Sequence, residues 1–245
     1  MVSAASLLFR AGERPVASEI RALAERQRGF SISLDPESEG QRDEGWIELV
    51  SSGLTFDLVG LAPNTASDLP QCTHFYGFPD AWSMAEYEAI TIMPGPHLAG
   101  GETMFPVVRC LAMLVAQLTR MDRVRAVAWH PARTCSEATY YREEVISWAE
   151  GGAFPGLGLA ALSTDPDGTT WSEGLALFTG QELRLPADLA EDRAQIAKIA
   201  LRLLNWLVEH GPIDEAITFT GPDGELLGLE PLESSGILRV WRGAL

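Results

Sequence analysis

The chain has 245 residues, 46% of them hydrophobic, and a formal charge of −16 from 18 basic and 34 acidic side chains. That length and apolar fraction suffice for a packed core in one large domain or in two smaller ones. The acid surplus excludes the basic footprint by which nucleic acid and anionic lipid surfaces are held, because binding there needs cations that displace counterions.

In chain order, Leu7 to Arg10 reads as a strand, Val16 to Arg26 as a helix, and Phe30 to Leu34 and Trp46 to Leu58 as strands. Pro63 to Tyr87 contains Pro63, Pro70, Gly77 and Pro79 among turn residues, which predicts a long irregular loop with at most a short helix near Met84. Ala89 to Met93 follows as a strand. Glu102 to Met121 sets Val107, Val108, Leu111, Leu114, Val115 and Leu118 on one broad apolar face and predicts a helix, with Pro106 tolerated in its first turns. This helix leaves one strand and enters another, Val124 to Trp129, so it fits a right-handed crossover that sets the two strands parallel in one sheet.

Ser136 is placed to cap a helix running through Trp148, with Ala138, Tyr141, Val145 and Trp148 at helical spacing and Gly151-Gly152 as its stop. Leu157 to Leu162 and Thr170 to Phe178 predict two strands joined by the turn Asp165-Pro166-Asp167-Gly168. Leu189 to Glu209 is the longest predicted helix of this half, striped by Ile196, Ile199, Ala200, Leu203, Leu207 and Val208 and ended by Gly211-Pro212. Ala216 to Phe219 is a strand, and Leu226 to Leu229 with Ile237 to Trp241 predicts a closing hairpin.

Three short matches recur in the same order at offsets of 121 to 130 residues: Asp35-Pro36 with Asp165-Pro166, Ser51 to Leu54 with Ser172 to Leu175, and Glu88 to Thr91 with Glu215 to Thr218. They suggest one unit built twice. With the element order β-α-β-β-α-β in the second copy, the expectation is an α+β fold of two ferredoxin-like βαββαβ halves, possessing one shared sheet if the crossover holds. The first half spans 1–101, the connecting helix 102–122, and the second half, with its hairpin, 123–245. The first copy lacks a second helix.

Cys72, Cys110 and Cys135 form no Cys-x-x-Cys and cannot all pair, which fits a reduced cytoplasmic setting. Leu7, Leu8 and Phe9 are too short an apolar run for a signal-peptide core, and no stretch reaches membrane-spanning length. The acid groups, in Glu37 to Glu44, Asp188 to Asp192 and Asp223 to Glu233, read as a solvated surface that leaves a basic protein partner open. Without His-x-x-x-His or Cys-x-x-Cys spacing, no metal and no cofactor is expected.

The most site-like stretch is Pro94-Gly95-Pro96-His97-Leu98-Ala99-Gly100-Gly101, a glycine-rich loop running from a strand into a helix whose free amides can face an anion. It lacks the Lys-Ser/Thr ending of a phosphate loop, and its competing reading is a tight strand-to-helix passage with His97 exposed. The second is Trp129 to Cys135, another strand end. A crossover brings both loops to one carboxyl edge, so His97, Gly100, Gly101, His130, Arg133 and Cys135 are the candidate ligand-binding residues of a shared crevice. Near a helix start Cys135 would gain thiolate character, whereas in a core it is an inert thiol. No third, orienting residue can be assigned from spacing, so no catalytic residue is named. The run His74-Phe75-Tyr76-Gly77-Phe78 reads either as core packing or as a contact surface.

The run Trp148 to Leu159, Trp-Ala-Glu-Gly-Gly-Ala-Phe-Pro-Gly-Leu-Gly-Leu, and the run Ser172 to Leu183, Ser-Glu-Gly-Leu-Ala-Leu-Phe-Thr-Gly-Gln-Glu-Leu, resemble uncharacterised bacterial domain-of-unknown-function proteins. The resemblance implies an α+β domain, with immunity or accessory roles in a few such families, and supplies no catalytic residues. The sequence thus leads to a non-enzymatic cytoplasmic protein that binds a protein partner or a second copy of itself. The alternative is a small-molecule or anion-binding enzyme using the crevice between loops 94–101 and 129–135.

Overall fold

A computed structural model of the chain describes residues 3–36, 45–79, 82–232 and 235–243. The acidic stretch Glu37 to Glu44 lies outside them. The chain divides into two compact units, Met1–Gly152 and Ala153–Leu245, each mixing helices with a sheet of its own.

The first unit contains strands β1 (Ala5–Arg10), β2 (Ser31–Leu34), β3 (Trp46–Ser51), β4 (Leu54–Val59), β5 (His74–Tyr76), β6 (Tyr87–Pro94), β7 (Ala126–Trp129) and β8 (Thr134–Glu137), with helices α1 (Ala17–Arg26), α2 (Phe105–Leu118) and α3 (Ala138–Ala149). The sheet order is β2-β3-β4-β6-β1-β7-β8-β5. β1 is antiparallel to both β6 and β7, through Ala5↔Ile92 and Ala5↔Trp129, so β6 and β7 run parallel on either side of it. The helix α2 that joins them is buried along most of its surface, as its apolar composition requires, with a stripe of exposed Arg109 and half-buried Met113 and Gln117.

Side chains alternate across the sheet. The face carrying Leu7, Ser51 and Leu54 bears the helices, and α2 packs on β4, β6 and α3. On the opposite face Leu8, Ala89, Ala126 and Cys135 form a small buried cluster. The proline-rich segment expected to be irregular covers it, laying Cys72, Phe78, Trp82, Met84 and Tyr87 against it. A single helical turn at Met84–Glu86, begun by Ser83 whose hydroxyl accepts from the Ala85 N–H, is its only helical part among the described residues.

The second unit holds β9 (Ala161–Thr164), β10 (Thr170–Glu173), α4 (Ala176–Thr179), β11 (Glu182–Leu185), α5 (Arg193–His210), β12 (Ile217–Thr220), β13 (Leu226–Leu232) and β14 (Ile237–Arg242). Its sheet order is β12-β13-β14-β11-β10-β9, and α5 packs on β11 and α4. Asp192 caps α5 by accepting from the Gln195 N–H at 2.8 Å. The predicted closing hairpin is present, with Leu229↔Val240 in its ladder.

Mixed α+β architecture agrees with the sequence, but the six elements expected to form the second copy are divided. The strand at Ala126–Trp129 is hydrogen-bonded into the first sheet and the strand at Ile217–Thr220 into the second. The repeated tetrapeptides also fall in different structures. Ser51 to Leu54 is a hairpin turn in which Ser52 and Gly53 both have positive φ. Ser172 to Leu175 instead ends β10 at Gly174, φ 86°, and leads into α4. Left-handed geometry at Gly174 interrupts the strand predicted from Thr170 to Phe178, and β11 resumes only after Gly180.

Candidate functional site

The antiparallel registers place the carboxyl ends of β6 and β7 at the same sheet edge, flanking the start of β1, and the His130 N–H donates to the Ala4 carbonyl at 3.1 Å. Both glycine- and histidine-bearing loops therefore leave from one edge, as the crossover implied. What they place there differs between the two faces of the sheet.

His130 follows β7 in a single helical turn, His130–Ala132, started by Pro131. Its Nε2 is 2.9 Å from Ser6 Oγ, which is 2.8 Å from Thr91 Oγ1. Ser6 and Thr91 are directly opposed across β1 and β6 and are buried, so the hydroxyls satisfy one another and fix the imidazole. Burial holds the His130 pKa below its ordinary value, and the ring is neutral near neutral pH.

Along the same face lie Glu48 and Asp57, cross-strand neighbours on β3 and β4. Burial, followed by the Glu48 charge, pushes the Asp57 pKa up, while His97 draws it down. His97 sits in the turn Pro96–Leu98 and is exposed. The Gly95 N–H donates to the Thr55 carbonyl at 2.9 Å, and a methyl on Gly95 would meet Thr55 Oγ1 at 3.1 Å, a tight contact. The two loops thus leave from one edge, His130 bonded to Ser6 and His97 acting on Asp57 through charge alone.

The other candidates separate. Gly100 has φ 82° and shapes the turn between Leu98 and Met104, and Gly101 precedes the start of α2 at Phe105 by four positions, so neither donates the first free amides of that helix. Arg133 is exposed in the left-handed conformation, φ 50°, and its carbonyl accepts from the N–H groups of Thr73 and His74. That residue reverses the chain into β8 and seats the edge strand β5.

Cys135 is on β8 and fully buried, and α3 starts three residues later, capped by the Glu137 carboxylate rather than Ser136. A hydrogen bond with Cys72 and burial raise the Cys135 pKa far above the ordinary thiol range, whereas the same bond lowers that of Cys72. Cys72 also donates to the Thr134 carbonyl at 3.4 Å. Cys135 is thus the buried thiol that a core position implies rather than a thiolate at a helix start.

A cavity of about 190 Å³ lies under the first loop, lined by Ser3, Met93, Gly95, Leu98 and Glu102. The described lining includes none of His130, Arg133 and Cys135. Among the described residues no group of three or more His, Cys, Asp or Glu side chains is placed to hold a metal ion, and no helix is long and apolar enough to cross a membrane. The residues that sequence reasoning missed are Ser6 and Thr91. Their only signal is a hydroxyl inside each of two otherwise apolar strands, Ala5-Ser6-Leu7-Leu8 and Ile90-Thr91-Ile92.

No protein-family model, curated protein or solved structure matches the chain.

Proposed function

We propose that this chain is a non-enzymatic binding or accessory protein, toxin neutralisation being one form of such a role, and that it docks a protein partner on the edge strand β5. The observation that carries the reading is Phe75. It is 49% exposed on a strand at the end of the first sheet, backed by Phe78 at 6.5 Å and Trp82 at 5.7 Å between ring centroids. An aromatic ring held by other rings and left half in solvent is the usual form of an interface anchor.

The last strand of a sheet is a common docking place for a partner's extended segment. The chain's charge of −16 favours a segment rich in Lys and Arg. His130 and Cys135 are committed to Ser6 and Cys72, which supports binding over nucleophilic chemistry.

Selection of a displayed peptide library on the immobilised protein tests this. Enriched peptides should be extended and basic with one large apolar residue, and Phe75→Ala should weaken them about thirtyfold by calorimetry, the size of an anchor's contribution. A library that enriches equally on wild type and Phe75→Ala would remove the reading. Light scattering of the peptide-free protein separates the homodimer version, in which Phe75→Ala turns a dimer into a monomer.

A further inference from the structure

The helix-bearing face of the first unit contains a cleft of about 580 Å³ between α2 and the β3–β4 hairpin turn. This is within the size range of small-molecule sites. α2 contributes Arg109, Cys110, Met113 and Gln117, spaced so that they fall on one side of the helix, and Ser51 and Leu54 form the floor. We infer that this cleft binds a small organic monocarboxylate with an apolar body.

Charge is the first argument. Among the described lining residues Arg109 is the single charged side chain, and no carboxylate faces the cleft. In a chain that carries −16, an acid-free cleft with one guanidinium selects for one negative charge rather than for a cation or a polyanion.

Preorganisation is the second. The Arg109 guanidinium stands 5.4 Å from the centre of the Trp148 ring and donates one N–H to the Ala149 carbonyl at 3.4 Å. Both contacts hold the guanidinium beside Trp148 and leave further N–H donors for a carboxylate, which a guanidinium grips through two parallel bonds.

The floor is the third. Cys110 Sγ donates to the Ser51 carbonyl at 3.3 Å, and Ser51 Oγ donates to the Gly29 carbonyl at 3.0 Å. These groups satisfy one another, so the base of the cleft is held without a ligand, and Leu54 and Met113 give the lining its apolar surface. A methyl at Gly29 would meet the Gln117 side chain at 3.1 Å. Glycine there lets the backbone approach Gln117, whose amide offers a donor and an acceptor to a polar group on the ligand's body.

Phenylbutyrate is a suitable probe, with phenylbutanol as its uncharged counterpart and inorganic phosphate as an anion without a body. Calorimetry on the full chain should show the acid binding about tenfold more tightly than the alcohol, and phosphate more weakly than either. Arg109→Gln should bring the acid down to the level of the alcohol. Met113→Trp, which fills the cleft from the helix side, should weaken both. Cys110, which lines the cleft, reports its occupancy through the rate at which it is labelled. At about ten times its Kd the acid should slow iodoacetamide labelling of Cys110 about tenfold, read by peptide mass spectrometry, with Cys72 labelling unchanged. Equal affinity for acid and alcohol, unchanged binding in Arg109→Gln, or absence of both heat and Cys110 protection would overturn the assignment.

Discussion

At the scale of single residues, the His130–Ser6–Thr91 chain makes a prediction about pH. Burial keeps the folded-state pKa of His130 below that of an exposed imidazole, so between the two values the unfolded chain binds the proton more readily. The stabilising contribution is fully present above about pH 6.5, the ordinary histidine value, and is lost as pH falls through the lower folded value. His130→Gln keeps a group able to bond Ser6 Oγ but cannot titrate. Its Tm should therefore fall less than that of the wild type between about pH 7 and about pH 5, and parallel profiles would show that the imidazole is not held neutral. A second residue-scale case is Gly228, opposite Trp241 in the β13–β14 ladder. A methyl there would lie 2.1 Å from the indole, which covers the gap left by the missing side chain. Gly228→Ala should cost about 2 kcal/mol in urea denaturation, since either the indole or the strand pairing must shift.

At the scale of elements, the segment over the second face of the first sheet carries a run of packed rings. Phe78 and Trp82 stack at 4.1 Å, Trp82 and Tyr87 lie 5.3 Å apart, and the Trp82 indole donates to Tyr87 Oη at 3.2 Å. Trp82→Ala removes all of these and should cost about 2–3 kcal/mol, with hydrogen exchange rising over residues 72–87 while α2 stays protected. Protection lost throughout the unit would mean that the segment is part of the core rather than a cover on it. The sequence made this segment legible only in part. Its prolines marked it as irregular and Met84 as a helical turn, both local properties, whereas β5 exists because it pairs with β8, about sixty residues further along the chain. β8 itself escaped notice because Thr-Cys-Ser-Glu reads as a cap. α1, α2, α3 and α5 were readable from their apolar stripes, since a helix is specified by its own residues. The shared edge of the two loops was legible for the same reason, through the crossover helix. The roles of the residues on it were not, because the partners of His130 and Cys135 come from β1 and from the segment before β5.

At the scale of the whole molecule, the two units differ from the halves that the repeat suggested because hydrogen-bonding partners, rather than sequence matches, decide which strands belong together. Each unit buries its own apolar set; in the second this is Ile196, Ile199, Leu203 and Leu207 of α5 with Leu183, Leu229, Leu238 and Val240 of the sheet. The net charge of −16 acts across the chain as a self-repulsion that opposes compaction. Among the described residues Arg14 pairs with Glu88 at 2.9 Å and Arg21 with Asp35 at 2.5 Å, both partly buried. Added salt shortens the screening length from about 10 Å at 0.1 M to about 3 Å at 1 M, which weakens repulsion between surface carboxylates while sparing these partly buried pairs. Tm should therefore rise by several degrees as sodium chloride is raised from low to molar concentration, more than it does in a variant with four exposed carboxylates, Asp188, Glu191, Glu215 and Asp223, changed to their amides. An identical salt response in both proteins would show that the acids lie too far apart to repel, and would place the cost of the charge in the unfolded chain instead.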